Sequence, residues 1–131
     1  MKPQTADHLL AADRALSKAA ALVSLPLYDE GGRLAYYAMY HAAHALVVER
    51  GFKPAKTHRG LRQLFARTAQ TESSTVQSLV GPLTSNYRLK WLADYDTTGA
   101  IVDEAVARAA LADATSFVAT IRAVVSMSQT P

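Results

Sequence analysis

The sequence predicts an all-α protein, a mostly antiparallel, up-and-down bundle of five helices. Twenty-five of the 131 residues are alanine, which has the highest intrinsic helix propensity. Apolar residues recur at spacings of three and four, whereas the alternating β-branched runs that are typical of strands are missing from the sequence. Short connections between the helical segments favour antiparallel neighbours. We therefore predict a single helical domain over residues 1–131, ordered from about residue 5 to about residue 126.

The first two helices are predicted from their apolar spacing and from the residues that end them. The first extends from about residue 5 to residue 24, and Pro26 ends its pattern because proline cannot continue a helix. The second extends from about residue 29 to residue 50. Gly51 directly follows it, which is the position where glycine commonly ends a helix.

The third and fourth helices are predicted from capping and turn residues. Thr57 is expected to cap a short third helix that ends near Ala69. The fourth is expected from about residue 76 to residue 95, and Gly81 and Pro82 are expected to kink it or delay its start.

The last helix is predicted from about residue 100 to residue 126, followed by a loose tail over residues 128–131. No uncharged apolar run approaches the roughly 18 to 20 residues that span a bilayer. The polar first residues also lack the apolar segment of a secretory signal. We therefore expect no membrane segment and a cytoplasmic protein.

The composition excludes several kinds of chemistry. The chain has no cysteine, which excludes disulfides, thiolate metal sites and cysteine nucleophiles. Fourteen Lys and Arg against eleven Asp and Glu give a net charge of +3 and a pI near 9.3, which permits a phosphate-bearing partner. The sequence contains no glycine-rich phosphate loop, Ser-His-Asp pattern or paired carboxylates, so nothing in it predicts a standard hydrolase. We also predict no cofactor.

Basic side chains surround the predicted start of the third helix. These basic residues are Lys53, Lys56, His58, Arg59 and Arg62, and the hydroxyl of the capping residue Thr57 lies among them. The free N–H groups of a helix start attract anions and disfavour cations by roughly 0.3 to 1 kcal/mol each. A phosphate bound by these N–H groups, the hydroxyl and the cations of residues 56–62 would remove that penalty. The alternative is that the long side chains extend separately into water.

A second candidate segment covers residues 87–95. On a helix it aligns three aromatic side chains at successive spacings of four, Tyr87, Trp91 and Tyr95. Lys90 is spaced to pair with Asp94, and Arg88 lies beside them in the sequence. The functional hypothesis is a surface on which a base stacks while a cation holds a phosphate. The alternative, which we expect more often, is that the aromatic line packs in the core.

Two histidines lie three residues apart on the second helix, His41 and His44. A metal site would need a further ligand, and no carboxylate stands at a neighbouring helical spacing, so we predict no bound metal. His41 shares a stripe with apolar residues, and we expect it to be a hydrogen-bonded core histidine.

Three strings in the sequence together resemble one known family. They are YYAMYHAAHAL at residues 36–46, KTHRGL at residues 56–61 and ADY at residues 93–95. Their order and separations are similar to those of the HEPN (higher eukaryotes and prokaryotes nucleotide-binding) domain family, and the resemblance extends from about residue 10 to residue 125.

The resemblance implies an α-helical bundle that is usually a homodimer and binds nucleotide or RNA. It also implies a frequent neighbour, a minimal nucleotidyltransferase, in a toxin–antitoxin or defence module. Many members of the family are metal-independent ribonucleases. Their active site is an arginine followed, after four to six residues, by a histidine, with two copies facing each other across the dimer.

This sequence departs from that pattern. Counting from Arg88, the histidine position falls within residues 93–95, and no other arginine has a histidine at the required distance. Where a branch of the family has an arginine three residues before its Ala-Asp-Tyr string, this chain has Lys90, which cannot grip phosphate in a bidentate way.

Three functional hypotheses follow. The first is a catalytically degenerate HEPN protein that binds RNA, a nucleotide or a nucleotidyltransferase partner. The second is a ribonuclease toxin in which Arg88, Lys90 and Tyr95 act with His58 or His41 from another helix. The third is a helical adaptor that binds no nucleic acid, in which the basic residues serve only solubility.

Overall fold

A computed structural model describes residues 1–97 and 102–127, and within these two ranges every regular element is helical. The helices are α1 (Pro3–Ser24), α2 (Tyr28–Glu49), α3 (His58–Ala69), α4 (Ser74–Gln77), α5 (Val80–Tyr95) and α6 (Glu104–Met127). The prediction of an all-α bundle is confirmed. The five long helices correspond to the five predicted ones, and α4 is a single additional turn.

The predicted fourth helix is divided in two. Val76 lies in α4, whose first turn is capped by the Ser73 hydroxyl, and α5 begins only at Val80. Pro82 therefore stands in the first turn of α5, where its missing N–H costs no helical hydrogen bond. The predicted delay is confirmed.

The last helix, α6, begins at Glu104. The Asp103 carboxylate accepts a hydrogen bond from the Val106 N–H at 2.9 Å, which caps the start of α6. The predicted start at residue 100 and the predicted tail over residues 128–131 lie outside the described residues.

The second helix is the centre of the bundle, because it packs against α1, α3, α5 and α6. Its buried positions are rich in alanine, namely Ala35, Ala38, Ala42, Ala43 and Ala45. Gly31 shows how close the neighbours come, since a Cβ there would lie 2.8 Å from the Val23 Cγ2 atom of α1. Small side chains thus allow one helix to be covered on nearly all sides.

Consecutive long helices run antiparallel, except for α2 and α3. At the α3 start, His58 contacts Tyr36 near the beginning of α2, whereas Glu72, just after α3, pairs with Arg50 at the end of α2. Residues 51–57 must therefore return along the bundle before α3 begins. Gly51 starts this return with a φ of 94°, a conformation that glycine adopts without strain.

The cap of α3 is as predicted. The Thr57 hydroxyl accepts a hydrogen bond from the Gly60 N–H at 2.9 Å. We expect Thr57→Ala to lower the free energy of unfolding by about 1 kcal/mol, because a free N–H is left at the helix start. Thr57→Ser should retain most of the stability, and urea titrations of the three proteins measure the difference. Equal losses in both variants would contradict the capping role.

Among the described helices, α6 has the length and apolar composition of a membrane-crossing helix. A core helix meets the same criteria, and α6 buries Phe117, Ile121 and Val125. Composition therefore does not distinguish the two, and the absence of a membrane segment stays a prediction.

Candidate phosphate-binding site at the start of helix α3

The start of α3 packs against aromatic side chains of α2 and α5. The His58 Nδ1 atom lies 2.8 Å from the Tyr36 hydroxyl. The centroid of the His58 ring lies 4.7 Å from that of Tyr40 and 5.4 Å from that of Tyr87. Tyr36 and Tyr40 are one helical turn apart, so the second helix offers both rings to the same neighbour. We refer to these four residues as the aromatic cluster.

Arg62 joins the aromatic cluster from the next turn of α3. Its guanidinium lies over the Tyr87 ring, with the Cζ atom 4.2 Å from the centroid, and its positive charge lowers the pKa of the Tyr36 hydroxyl against the larger effect of burial. The Arg62 Nη1 atom is buried and has no partner among the described residues. Within those residues Arg62 forms no ion pair, so its charge faces a tyrosine ring rather than a carboxylate.

An ion-pair network borders the aromatic cluster on the α5 side. The Asp94 carboxylate contacts the Lys90 Nζ atom at 2.7 Å and the Arg33 Nε atom at 3.1 Å. The predicted pairing of Lys90 with Asp94 is confirmed, while the Arg33 contact joins residues 61 positions apart and has no local signal in the sequence.

Burial lowers the pKa of His58, and the positive charges of Lys90 and Arg62 lower it further, against the opposing effect of Asp94. His58 is therefore neutral at pH 7. Lys90 and Arg62 thus lie close enough to the His58 imidazole for their charges to act on it.

Three further cations surround the start of α3 without acidic partners. The side chains of Lys53, Lys56 and Arg59 are exposed and form no ion pair within the described part of the chain. The first turn of α3 contains no acidic residue. Positive side chains thus lie at the positive end of a helix dipole, an arrangement that a bound anion would stabilise.

The predicted catalytic residues are only partly brought together. Lys90 lies near His58, and Tyr95 lies beside Lys90, whose Nζ atom is 6.0 Å from the Tyr95 ring centroid. Arg88 is about 160° away from Lys90 around α5 and lines a groove between α5 and α6. Within one chain, Arg88 therefore faces away from the aromatic cluster, and the catalytic role of each of these residues stays a prediction.

The expectation that the aromatic line of α5 packs in the core is wrong for two of its three members. Trp91 is 51% exposed and Tyr95 is 63% exposed, with their ring centroids 5.4 Å apart. α5 lies at the edge of the bundle and fully buries only one face, which carries Leu83, Asn86 and Leu89. The exposed pair is close to Lys90, as the stacking hypothesis requires.

The expectation for His41 is also wrong, because its ring is partly exposed and the buried histidine is His44, which is 3% exposed. His44 lies near the backbone of Ala55 and stacks on His8, with ring centroids 5.1 Å apart. Its Nε2 atom has no partner among the described residues. A single apolar stripe does not identify the buried side of α2, because that helix is covered on nearly all sides.

No group of three or more His, Asp or Glu side chains in the described ranges is arranged to hold a metal ion. The buried His44 imidazole instead has aromatic and histidine neighbours. The absence of a metal and of a cofactor stays a prediction.

The fold and site define a small helical bundle whose basic helix start adjoins a tyrosine–histidine cluster. The sequence model of the HEPN domain matches residues 5–124. A protein of Methanocaldococcus jannaschii named "Putative toxin MJ0605" is 33% identical over 94 residues, which cover 72% of this chain and 69% of that protein. The chain belongs to the HEPN domain family, and the resemblance drawn from the three sequence strings is confirmed.

Proposed function

We propose that this chain is a HEPN protein of the toxin type that binds RNA or a nucleotide through a phosphate at the start of α3. The observation that carries the proposal is the set of Lys53, Lys56 and Arg59, which form no ion pair among the described residues, around a helix start whose first turn has no acidic residue. His58 and Arg62 supply further donors next to it. The name of the archaeal relative supports the toxin type.

The composition of the site favours a nucleic acid or a nucleotide over a simple anion. Bases stack on exposed aromatic rings, and each stacked base contributes about 1–3 kcal/mol. Trp91 and Tyr95 present such rings on the helix that also carries Lys90. Phosphate binding at α3 and stacking on α5 would then act on one ligand.

Binding of a fluorescent single-stranded RNA oligonucleotide, measured by anisotropy over a series of salt concentrations, tests this proposal. We expect binding at low salt and a linear fall in log affinity with log salt, with a slope of about −0.7 for each phosphate neutralised. Absence of binding to this RNA and to ATP at low salt would support the helical adaptor instead.

The proposal includes the partners that family membership suggests. We infer a cytoplasmic homodimer that associates with a minimal nucleotidyltransferase in a toxin–antitoxin module. Light scattering of the purified chain, alone and after co-expression with the product of the adjoining gene, measures both associations. A monomer that copurifies with no partner would contradict this part of the proposal.

A metal-independent ribonuclease is the second candidate function, because neutral His58 lies near Lys90 and Arg62. His58 would transfer protons while the cations stabilise the charge of the phosphorane. Arg88 could join them only from a second copy of the chain.

RNA cleavage in EDTA tests this second function. Wild type should cleave, and His58→Ala should be slower than Arg88→Ala if the site lies within one chain. A His58→Ala protein that cleaves at the wild-type rate would exclude His58, and an inactive wild type would leave RNA binding as the function.

A further inference from the structure

Tyr36 is a fully buried tyrosine with a hydrogen-bond partner at the proposed site. Its side chain is 0% exposed. The hydroxyl lies 2.8 Å from the His58 Nδ1 atom, and the charge of the Arg62 guanidinium acts on it electrostatically. Tyr36 thus adjoins the histidine at the start of α3 and the arginine one turn later.

The chemistry of the three groups determines where the hydrogens lie. The buried phenolic hydrogen of Tyr36 needs an acceptor, and a guanidinium can only donate, so Arg62 cannot supply one. Among the described residues, the partner within hydrogen-bond distance is the Nδ1 atom of neutral His58. The opposite arrangement, with a hydrogen on Nδ1, would leave the phenolic hydrogen without an acceptor among those residues.

The protonation states of the two groups are consistent with this arrangement. Burial raises the pKa of Tyr36, so the phenol keeps its hydrogen at neutral pH. Burial and the nearby cations lower the pKa of His58, so its imidazole carries only one hydrogen. With Nδ1 acting as the acceptor, that hydrogen is on Nε2.

We propose that Tyr36 is a positioning residue that holds neutral His58 with its hydrogen on Nε2, so that the ring offers an N–H donor to a phosphate oxygen. The Nε2 atom stands on the ring edge away from Tyr36. In that role His58 binds the anion as an uncharged N–H donor. This role in binding rests on the proposed phosphate-binding function, whereas the position of the hydrogen does not.

Long-range ¹H–¹⁵N correlation NMR of the imidazoles reads the hydrogen position directly, because the chain has only four histidines. At pH 7.5, with His58→Gln used for assignment, we expect the Nε2–H form of His58 in the wild type. Tyr36→Phe should give a mixture of the Nδ1–H and Nε2–H forms of His58. It should also weaken binding of the RNA oligonucleotide about threefold to tenfold, the effect of losing one or two hydrogen bonds.

Tyr40→Phe is the matched control, because it removes a hydroxyl from a ring that contacts His58 without a hydrogen bond between them. It should leave the His58 signals in the Nε2–H form. If Tyr36→Phe does not fold, the wild-type spectrum decides alone, because an Nδ1–H form of His58 would contradict the hydrogen bond from Tyr36 to Nδ1.

The outcomes separate this inference from the proposed function. An Nδ1–H form of His58 in the wild type, or an unchanged Nε2–H form in Tyr36→Phe, would overturn the positioning role. The expected NMR result in a protein that binds neither RNA nor ATP would uphold the control by Tyr36 and refute phosphate binding.

Discussion

The double variant Lys56→Glu/Arg59→Glu is expected to bind single-stranded RNA about 10- to 100-fold more weakly than the wild type at low salt. Both side chains are exposed at the start of α3 and lack ion-pair partners among the described residues. Reversing the charges of these two side chains replaces their attraction for the phosphates by repulsion. The salt slope should fall by about 0.7 for each phosphate contact that is lost. Anisotropy titrations at several salt concentrations measure both quantities.

The matched control is Arg14→Glu/Lys18→Glu, which changes the net charge equally on exposed positions of α1. If binding depends on a local site at α3, this control should retain more of the wild-type affinity than the α3 double variant at 0.1 M salt, where screening over a Debye length of ~10 Å weakens distant charges. Equal losses in the two double variants would show that binding follows net charge. The α3 site would then be wrong.

Much of the fold could be predicted because its signals are local. Alanine content and apolar spacing gave the helical class, and the bounds of the first three helices follow from end signals such as Pro26, Gly51 and Thr57. Pro82 delayed α5 through its missing N–H, which is again a property of the residue itself. Each of these effects depends on a few neighbouring residues.

The errors arose where burial depends on the whole bundle. Helical spacing shows which residues share a face, but it does not show how many faces are covered. α2 is surrounded, which buries His44 beside the predicted stripe, and α5 is an edge helix, which leaves Trp91 and Tyr95 exposed. The residues that share a face of each helix were predicted correctly, but the faces that the neighbouring helices bury were not.

The sequence predicted the residues of the candidate site that belong to one segment, but not the contacts between distant segments. Thr57, His58 and Arg62 belong to one segment, so their grouping is a local signal. The contact of His58 with Tyr36 depends on the return of residues 51–57 along α2, which places the α3 start beside the first half of that helix. No local spacing predicts that contact.

Acidification between about pH 6.5 and pH 4 is expected to destabilise the protein, with the largest contribution from His44. Burial lowers the pKa of His44 to about 4, and the nearby His8, His41 and His58 lower it further, against the hydrogen bond to the Ala55 backbone. The folded state thus binds the His44 proton more weakly than the unfolded state. The stabilisation is present above the unfolded pKa of about 6.5 and is lost as the pH falls towards 4.

The size of this effect follows from the pKa difference. One pKa unit corresponds to about 1.4 kcal/mol, so His44 alone should remove about 3 kcal/mol of the free energy of unfolding across this interval. The pKa values of His8, His41 and His58 are also lowered, so they act in the same direction. Urea titrations at half-unit pH intervals measure the slope.

Replacing the ring distinguishes His44 from the other histidines. His44→Phe keeps an aromatic side chain against His8 and Tyr40 but cannot be protonated, so its stability should depend much less on pH over this interval. His8→Gln removes a partly exposed ring and should retain most of the wild-type dependence. A His44→Phe protein with the full wild-type slope would place the proton uptake elsewhere.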